Sequence, residues 1–202
     1  MRNQNKMSII ISAPSGAGKT TIINLLLKQE QFDFSISTTT RPKRDHEIEG
    51  ESYYFTSKDT FKEQINQNDF LEWAIVHDNY YGTSKKEIDR IIDKGKIPIF
   101  DIDVQGAAQI KGQLPGALFI FIVPPSIKEL EKRLRNRKTD SEDQIKTRLN
   151  NAILELKQYA NYDYVVVNQD IQTTVDTISA IVNCEQYRTE YQTELIEKIL
   201  EE

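Results

Sequence analysis

The most constraining feature of this chain is a glycine-rich stretch between an apolar run at residues 7–12 and a helical pattern of apolar side chains at residues 22–27. The stretch reads Ala13-Pro14-Ser15-Gly16-Ala17-Gly18-Lys19-Thr20. Strand, glycine-rich turn and helix in this order predict a phosphate-binding loop, because the turn's N–H groups and the positive end of the helix attract anions. Lys19 would then reach the outer phosphates of a nucleoside triphosphate, and the Thr20 hydroxyl would ligate Mg²⁺.

One position departs from the pattern G-x-x-x-x-G-K-[ST], since Ala13 stands where the first glycine is expected. A methyl group is tolerated there if the residue keeps a negative φ. The alternative interpretation is a tight strand-to-helix turn whose lysine has no ligand.

Composition restricts the function classes. The chain has 202 residues and a net charge of −5, which argues against a surface that coats nucleic acid. The single cysteine, Cys184, excludes an internal disulfide framework, and its apolar helical surroundings predict a small buried residue. The polar residues 1–6 and the short apolar run after them predict neither a signal peptide nor a membrane span. We therefore expect a cytoplasmic protein.

Alternating strand and helix patterns predict an α/β fold with a doubly wound, parallel, five-stranded core. Continuous rather than alternating hydrophobicity in the strands suits a sheet covered on both faces. The helices that begin at Ser126 and Ser141 open with capping-box patterns. Ligands should bind at the carboxyl ends of the strands. The predicted strands are residues 8–12, 34–38, 97–103, 118–123 and 164–167, and the predicted helices are 20–28, 126–137, 141–160 and 173–188.

One segment, residues 39–95, interrupts this alternation. Its short aromatic runs and a single predicted helix at 57–66 indicate a small, mainly β subdomain inserted over the phosphate site. Residues 136–140, between two capped helices, are a candidate lid. We expect residues 1–202 to form a single domain. Its parts would be a core at 7–38 and 96–190, the insertion at 39–95, a helical lid at 133–148 and a charged, helical tail at 191–202.

A second group of candidate ligand-binding residues lies in the insertion. Arg41 and Arg44 follow several hydroxyl side chains, and two guanidinium forks suit a dianionic phosphate, although a solvated basic turn is the alternative. Glu72 lies in an apolar run, where a carboxylate must be solvated or hydrogen-bonded. Guanine offers two adjacent N–H donors to such a carboxylate, whereas adenine offers an acceptor.

Seven motifs in order carry a family resemblance, at residues 12–20, 37–44, 70–74, 79–83, 101–106, 121–126 and 164–168. On these motifs the chain closely resembles the guanylate kinase family over residues 8–188. The resemblance implies reversible phosphoryl transfer from ATP to GMP or dGMP with Mg²⁺ as the cofactor. It implies nucleotides as partners rather than nucleic acid or a membrane, and leaves monomer and homo-oligomer open.

The resemblance also implies a role for each matching residue. The implied catalytic residues are Lys19, Arg41, Arg133, Arg137 and Arg148. The implied ATP-binding residues are Ala13, Pro14, Ser15, Gly16, Ala17, Gly18, Lys19, Thr20, Thr21, Arg137 and Asn168. The implied GMP-binding residues are Ser37, Arg41, Arg44, Tyr53, Glu72, Tyr81, Gly82, Thr83, Asp101 and Asp103. Thr20 would ligate Mg²⁺, with Asp101 acting through water.

Some features leave alternatives open. Asp101 and Asp103 also suit helix capping or a buried hydrogen-bond network. Lys138 and Gln169 depart from the family's usual glycine and acidic residue. Two competing functions remain. One is an inactive phosphopeptide-binding module of the same fold, and the other is a P-loop kinase acting on another phosphorylated acceptor such as a ribose phosphate.

Overall fold

Two β-sheets organise the molecule. The computed structural model describes residues 7–136 and 140–201, and within them five parallel strands form a core sheet and four strands form a second sheet. In chain order the elements are β1 (Ser8–Ser12), α1 (Lys19–Leu26), β2 (Phe32–Phe34), β3 (Thr38–Thr39), β4 (Tyr54–Phe55), α2 (Lys58–Asn66), β5 (Phe70–Val76), β6 (Asn79–Ser84), α3 (Lys85–Ile92), β7 (Ile97–Asp101), α4 (Val104–Ile110), β8 (Ala117–Val123), α5 (Ile127–Asn136), α6 (Glu142–Leu156), a 3₁₀ turn (Lys157–Asn161), β9 (Tyr164–Val167), α7 (Ile171–Glu185) and α8 (Thr189–Glu201).

The core sheet has the strand order β2-β7-β1-β8-β9 and is covered on both faces. Alternate side chains of the central strand β1 point to opposite faces, as a strand requires. Ile9 and Ile11 pack with side chains of α1 and α7, whereas Ile10 packs with side chains of α4. The predicted doubly wound parallel core is therefore confirmed.

The second sheet has the order β4-β3-β6-β5, in which β6 pairs antiparallel with both β3 and β5. Phe61 of α2 stacks on Phe70 of β5 with ring centroids 4.3 Å apart and covers part of this sheet. Leu71, the next residue along β5, instead joins the core cluster around Ile10 and Phe100. The second sheet thus shares apolar packing with the core sheet.

The chain passes from the core sheet to the second sheet at residues 35–37, and this corrects one predicted strand. Residues 34–38 do not form one strand, since β2 ends at Phe34 and β3 begins at Thr38 in the other sheet. Between them, the N–H of Ile36 donates to the Glu87 carboxylate, and the carbonyl of Ser37 accepts from Tyr54. These tertiary hydrogen bonds replace the continuous ladder that the apolar run predicted.

Other predicted boundaries and burials also need correction. The strand predicted at 97–103 ends at Asp101, and α3 and α4 were not predicted. Cys184 is exposed rather than buried, because the buried side chains of α7 follow the stripe Val175, Ile178 and Val182 and leave residue 184 outside it.

The two predicted N-terminal caps begin α5 and α6, the helices on either side of the candidate lid. The Ser126 hydroxyl accepts from the N–H of Glu129, and Ser141 forms a complete capping box with Gln144. Between α5 and α6, residues 137–139 lie outside the described part of the chain, so the implied role of Arg137 falls outside it too.

In residues 7–136 and 140–201, no helix combines the length and the apolar composition needed to cross a membrane.

Candidate active site

The loop between β1 and α1 has the backbone of a phosphate-binding turn. Gly16 and Gly18 have φ angles of 94° and 98°, values that favour glycine. Ala13 is not among the described non-glycine residues with positive φ, as its tolerance at the first glycine position requires. Gly18 directly precedes α1, so the positive end of that helix faces the turn.

Neighbouring side chains press against both glycines. A Cβ on Gly18 would lie 2.5 Å from Nδ2 of Asn168, and a Cβ on Gly16 would lie 2.9 Å from a methyl group of Leu134. Asn168 is buried, and its Nδ2 donates to the carbonyl of Ala17 at 2.7 Å. Asn168 therefore fixes the loop, and its side chain lines a cavity beside the glycines.

Lys19 points toward the carboxyl end of the neighbouring strand β7. Its Nζ lies 2.5 Å from Oδ1 of Asp101 and donates to the carbonyl of Ile102 at 3.1 Å. Parallel pairing of Ile11 with Asp101 creates this meeting, because it brings the ends of β1 and β7 side by side. This ion pair joins the phosphate loop to the acidic end of β7, a contact that the sequence did not predict.

The other acidic residue of this segment, Asp103, caps a helix. Its Oδ1 accepts from the N–H groups of Gln105 and Gly106 at 3.0 and 2.8 Å, which starts α4. The capping alternative raised from the sequence is therefore correct for this side chain. Asp103 also lines a cavity of about 310 Å³ together with the phosphate loop and Thr20.

The same cavity contains a residue that sequence reasoning missed. Oε2 of Glu155, on α6, accepts from the N–H of Ser15 at 3.3 Å. Burial raises the pKa of Glu155, while this hydrogen bond acts in the opposite direction. The available signal was helical spacing, since Glu155 lies seven residues after Arg148 and so on the same face of α6.

The side chains of the second sheet that were predicted to bind phosphate include Arg41, Tyr53 and Tyr81, and these three lie together. Its guanidinium lies 5.5 Å from the ring centroid of Tyr53, and the rings of Tyr53 and Tyr81 meet edge to face at 6.0 Å. Burial raises the pKa of Tyr53, and the neighbouring Tyr81 adds to that effect. Arg44 is exposed, two residues beyond Pro42.

Arg41 also has a carboxylate partner that the sequence reasoning did not include. Glu47 accepts from two guanidinium nitrogens of Arg41 at 2.6 and 3.0 Å and from the N–H of Arg44 at 2.8 Å. These hydrogen bonds lower the pKa of Glu47 to about 2, and the bond to Arg41 contributes most. Glu47 lies only three residues after Arg44, so proximity in sequence was the available signal.

Two of the residues predicted to hold the guanine, Glu72 and Thr83, are in contact. Oε1 of Glu72 accepts from the Thr83 hydroxyl at 2.7 Å across the β5–β6 pair. Its Oε2 faces the start of α4, where a Cβ on Gly106 would lie 3.2 Å away. Burial raises the pKa of Glu72, and the charge of Asp103 adds to that effect. Gly82 is buried between Phe61 and Phe70, and its substitution would crowd both rings.

The two described lid arginines make different contacts. Arg133 donates to the carbonyl of Asn168 at 2.9 Å and pairs with Glu129 at 3.1 Å. Arg148 pairs with Asp140 at 3.1 Å. Arg133 also donates to the carbonyl of Ala17 in the phosphate loop at 3.5 Å, whereas the partner of Arg148 precedes α6.

A parallel sheet with a glycine turn, a lysine and acidic side chains at its carboxyl edge places this chain among the P-loop nucleotide-binding proteins. A family model described as guanylate kinase matches residues 5–185. A guanylate kinase of Clostridium tetani is 45% identical over 182 residues, covering 90% of this chain and 88% of the relative. One of Hydrogenovibrio crunogenus is 49% identical over 173 residues, covering 85% and 84%.

A solved structure supports the same assignment. The crystal structure of guanylate kinase from Anaplasma phagocytophilum shares 35% identity, covers 91% of this chain and 87% of its own, and superposes with a TM-score of 0.69. The chain belongs to the guanylate kinase family. This finding confirms the resemblance inferred from the seven motifs.

The glycine turn yields a prediction on stability. Gly18 and Gly95 both have positive φ, but a Cβ on Gly95 meets nothing within 4 Å. Gly95→Ala should cost about 1–2 kcal/mol through backbone strain alone. Gly18→Ala should cost roughly 1 kcal/mol or more beyond that, since its methyl group displaces the Asn168 amide from Ala17. Urea unfolding of both variants measures the difference, and equal losses would show that Asn168 does not constrain the loop.

Proposed function

We propose that this chain transfers the γ-phosphoryl group of ATP to GMP or dGMP, giving ADP and GDP or dGDP in a reversible reaction. Family membership supports the reaction type. The observation that carries the acceptor is the half-buried Glu72 carboxylate, which accepts from the Thr83 hydroxyl and faces the start of α4, the helix that follows the core strand β7. We place the reaction in purine nucleotide metabolism and, from the single cysteine, in the cytoplasm.

The phosphate loop would hold the donor. Backbone N–H groups within residues 13–21, which Pro14 lacks, and the positive end of α1 would bind the ATP phosphates. Lys19 would move from Asp101 to the outer phosphates. The neighbouring cavity, lined by Asn168 and Gln169, would take the adenine. Arg133, which already reaches the loop region, would stabilise charge on the phosphoryl group.

The residues present fit Mg²⁺. The Thr20 hydroxyl is exposed in the loop cavity, and the carboxylates of Asp101 and Asp103 lie at the same sheet edge. In residues 7–136 and 140–201, no group of three or more acidic, histidine or cysteine side chains is arranged to hold a metal. Mg²⁺ usually takes one or two protein oxygens together with substrate phosphates, and Thr20, with Asp101 through water, would supply them. When bound, the ion would neutralise charge on the phosphates.

The second sheet would hold the acceptor. The guanine edge would form hydrogen bonds with Glu72, Thr83 and Ser37, and Gly82 would line the same site. Asp101 and Asp103 would lie beside the acceptor nucleotide. Arg41, Arg44, Tyr53 and Tyr81 would bind its phosphate, with Arg41 exchanging Glu47 for the phosphate oxygens. Such positioning brings the acceptor oxygen in line with the transferred group.

We further propose that the insertion at 39–95 and a lid at 133–148, including Arg137 and Arg148, close over the nucleotides. Closure would exclude water and so limit ATP hydrolysis. The two competing functions find less support. An inactive binding module would not need the phosphate loop and Lys19, yet both are present. A kinase whose acceptor has no base would not need Glu72 paired with Thr83.

Lys19→Ala should nearly abolish turnover and leave GMP binding largely intact, because Lys19 would act on the donor phosphates. A coupled assay with ATP and GMP, together with calorimetric titration of GMP, measures both. Lys28→Ala, an exposed lysine beyond the end of α1, is the control. Loss of turnover and of GMP affinity to the same extent would mean that Lys19 is structural.

Glu72→Ala should reduce the preference for GMP over AMP by about 2–4 kcal/mol, because the guanine donors would lose their acceptor. The measurement is kcat/KM with GMP, AMP, CMP and UMP in one coupled assay. Glu63→Ala, on the exposed face of α2, should leave the preference unchanged. Unaltered discrimination in Glu72→Ala would remove Glu72 from base recognition.

Glu72 also predicts a pH dependence. Its pKa lies above the ordinary 4.5, so the free protein protonates this carboxyl at a higher pH than an exposed glutamate. Guanine needs the ionised form, so GMP affinity should fall as pH decreases through that raised pKa. The GMP phosphate titrates too, so the measurement is the difference between wild type and Glu72→Gln. Parallel pH profiles for the two proteins would contradict the assignment.

A further inference from the structure

Both passages of the described chain between the core sheet and the second sheet converge on one buried carboxylate. The first passage runs from β2 through residues 35–37 to β3, and the second runs from β6 through α3 to β7. Glu87 of α3 is 3% exposed and lies where these passages meet. Its Oε2 accepts from the N–H of Ile36 at 2.9 Å, and its Oε1 accepts from the Tyr54 hydroxyl at 3.0 Å.

Arg90 extends this contact to the end of β2. Its Nε and one terminal nitrogen donate to the two Glu87 oxygens, each at 2.9 Å. It also donates to the carbonyl of Phe34 at 2.8 Å and to Oδ2 of Asp33 at 3.2 Å. One ion pair on α3 therefore holds the last residues of the core strand β2, the passage 35–37 and the second-sheet strand β4.

The residues held by this pair are direct neighbours of the proposed acceptor site. Ile36 precedes Ser37, and Tyr54 follows Tyr53. Successive side chains of a strand point to opposite faces, so Tyr54 reaches Glu87 while Tyr53 lies against Arg41. A shift of Ile36 or Tyr54 relative to β2 would therefore move groups that the proposed function assigns to GMP.

We propose that Glu87 and Arg90 are positioning residues that form an inter-sheet clamp and set the acceptor site relative to the phosphate loop. The proposal rests on the proposed function for its catalytic effect, and on the contacts of Glu87 for its structural effect. Glu87 is buried and Arg90 is partly exposed. The pair keeps its full set of hydrogen bonds only in one arrangement, so losing a partner loosens the segments it joins.

The chain provides a matched control network at the opposite edge of the core sheet. Glu185 of α7 is 7% exposed, accepts from the Tyr164 hydroxyl at 2.6 Å and pairs with Arg188 three residues later at 2.6 Å. Tyr164 is the first residue of β9, so this network lies at the amino ends of the strands, away from the proposed site. It repeats the chemistry of the clamp without joining the two sheets.

The experiment compares Glu87→Gln and Tyr54→Phe with Glu185→Gln and Tyr164→Phe. Tyr54→Phe removes only one hydroxyl and tests the clamp with little risk to folding. The clamp variants should lower kcat/KM for GMP about tenfold and leave the KM for ATP within about twofold, because only the acceptor is displaced. The control variants should leave both parameters unchanged while their melting temperatures fall similarly.

A second readout needs no activity. Spin labels on the exposed Cys184 and on Glu63→Cys report the separation of the core and α2 in the nucleotide-free protein. Glu87→Gln should broaden or shift that distance, and Tyr164→Phe should not. If the wild type fails to phosphorylate GMP, the proposed function is wrong. The label distance alone then tests whether Glu87 and Arg90 hold the two sheets in place. Clamp variants that match the controls in GMP kinetics and in label distance would overturn the clamp.

Discussion

The parallel register between β1 and β7 is the constraint on which the site depends. It sets Ile11 opposite Asp101, so that Lys19, returning from the glycine turn, meets the Asp101 carboxylate at 2.5 Å. A slip of one residue would turn Asp101 to the other face of the sheet and leave the lysine without its partner. The buried apolar side chains of β1, covered by helices on both sides, hold this register. The chemistry at the sheet edge therefore rests on ordinary packing beneath it.

Carboxylates of the chain itself contact the groups that would bind phosphate. Asp101 faces Lys19, Glu47 binds Arg41, and Glu155 accepts from the N–H of Ser15. Under the proposed function, an incoming phosphate would exchange one anion for another at these positions and would not have to desolvate an isolated cation. The exchange would lower the net gain from each phosphate contact, and the carboxylates would keep the donors oriented between turnovers.

The sequence predicted well those structural elements whose residues are close together along the chain. The phosphate loop follows from glycines between a strand and a helix, and the Ser141 capping box follows from spacing alone. The strand predicted at 34–38 was wrong because Ile36 bonds to Glu87, fifty-one residues away, which no local pattern shows. Glu47 and Glu155 had local signals, proximity to Arg44 and the helical spacing from Arg148. Neither signal shows what the carboxylate contacts, since Glu155 accepts from the N–H of Ser15, 140 residues away. Helical spacing could have corrected Cys184, which falls outside the apolar stripe of α7.

Leu71 gives the molecule a property that neither sheet has alone. The second sheet has its own aromatic contact between Phe61 and Phe70, yet its strand β5 also contributes Leu71 to the cluster around Ile10 and Phe100. Separating the sheets would expose apolar surface on both. The inserted segment is therefore tied to the folding cooperativity of the core, and evolution could exchange it for a segment with another specificity only by supplying a side chain that refills the same space.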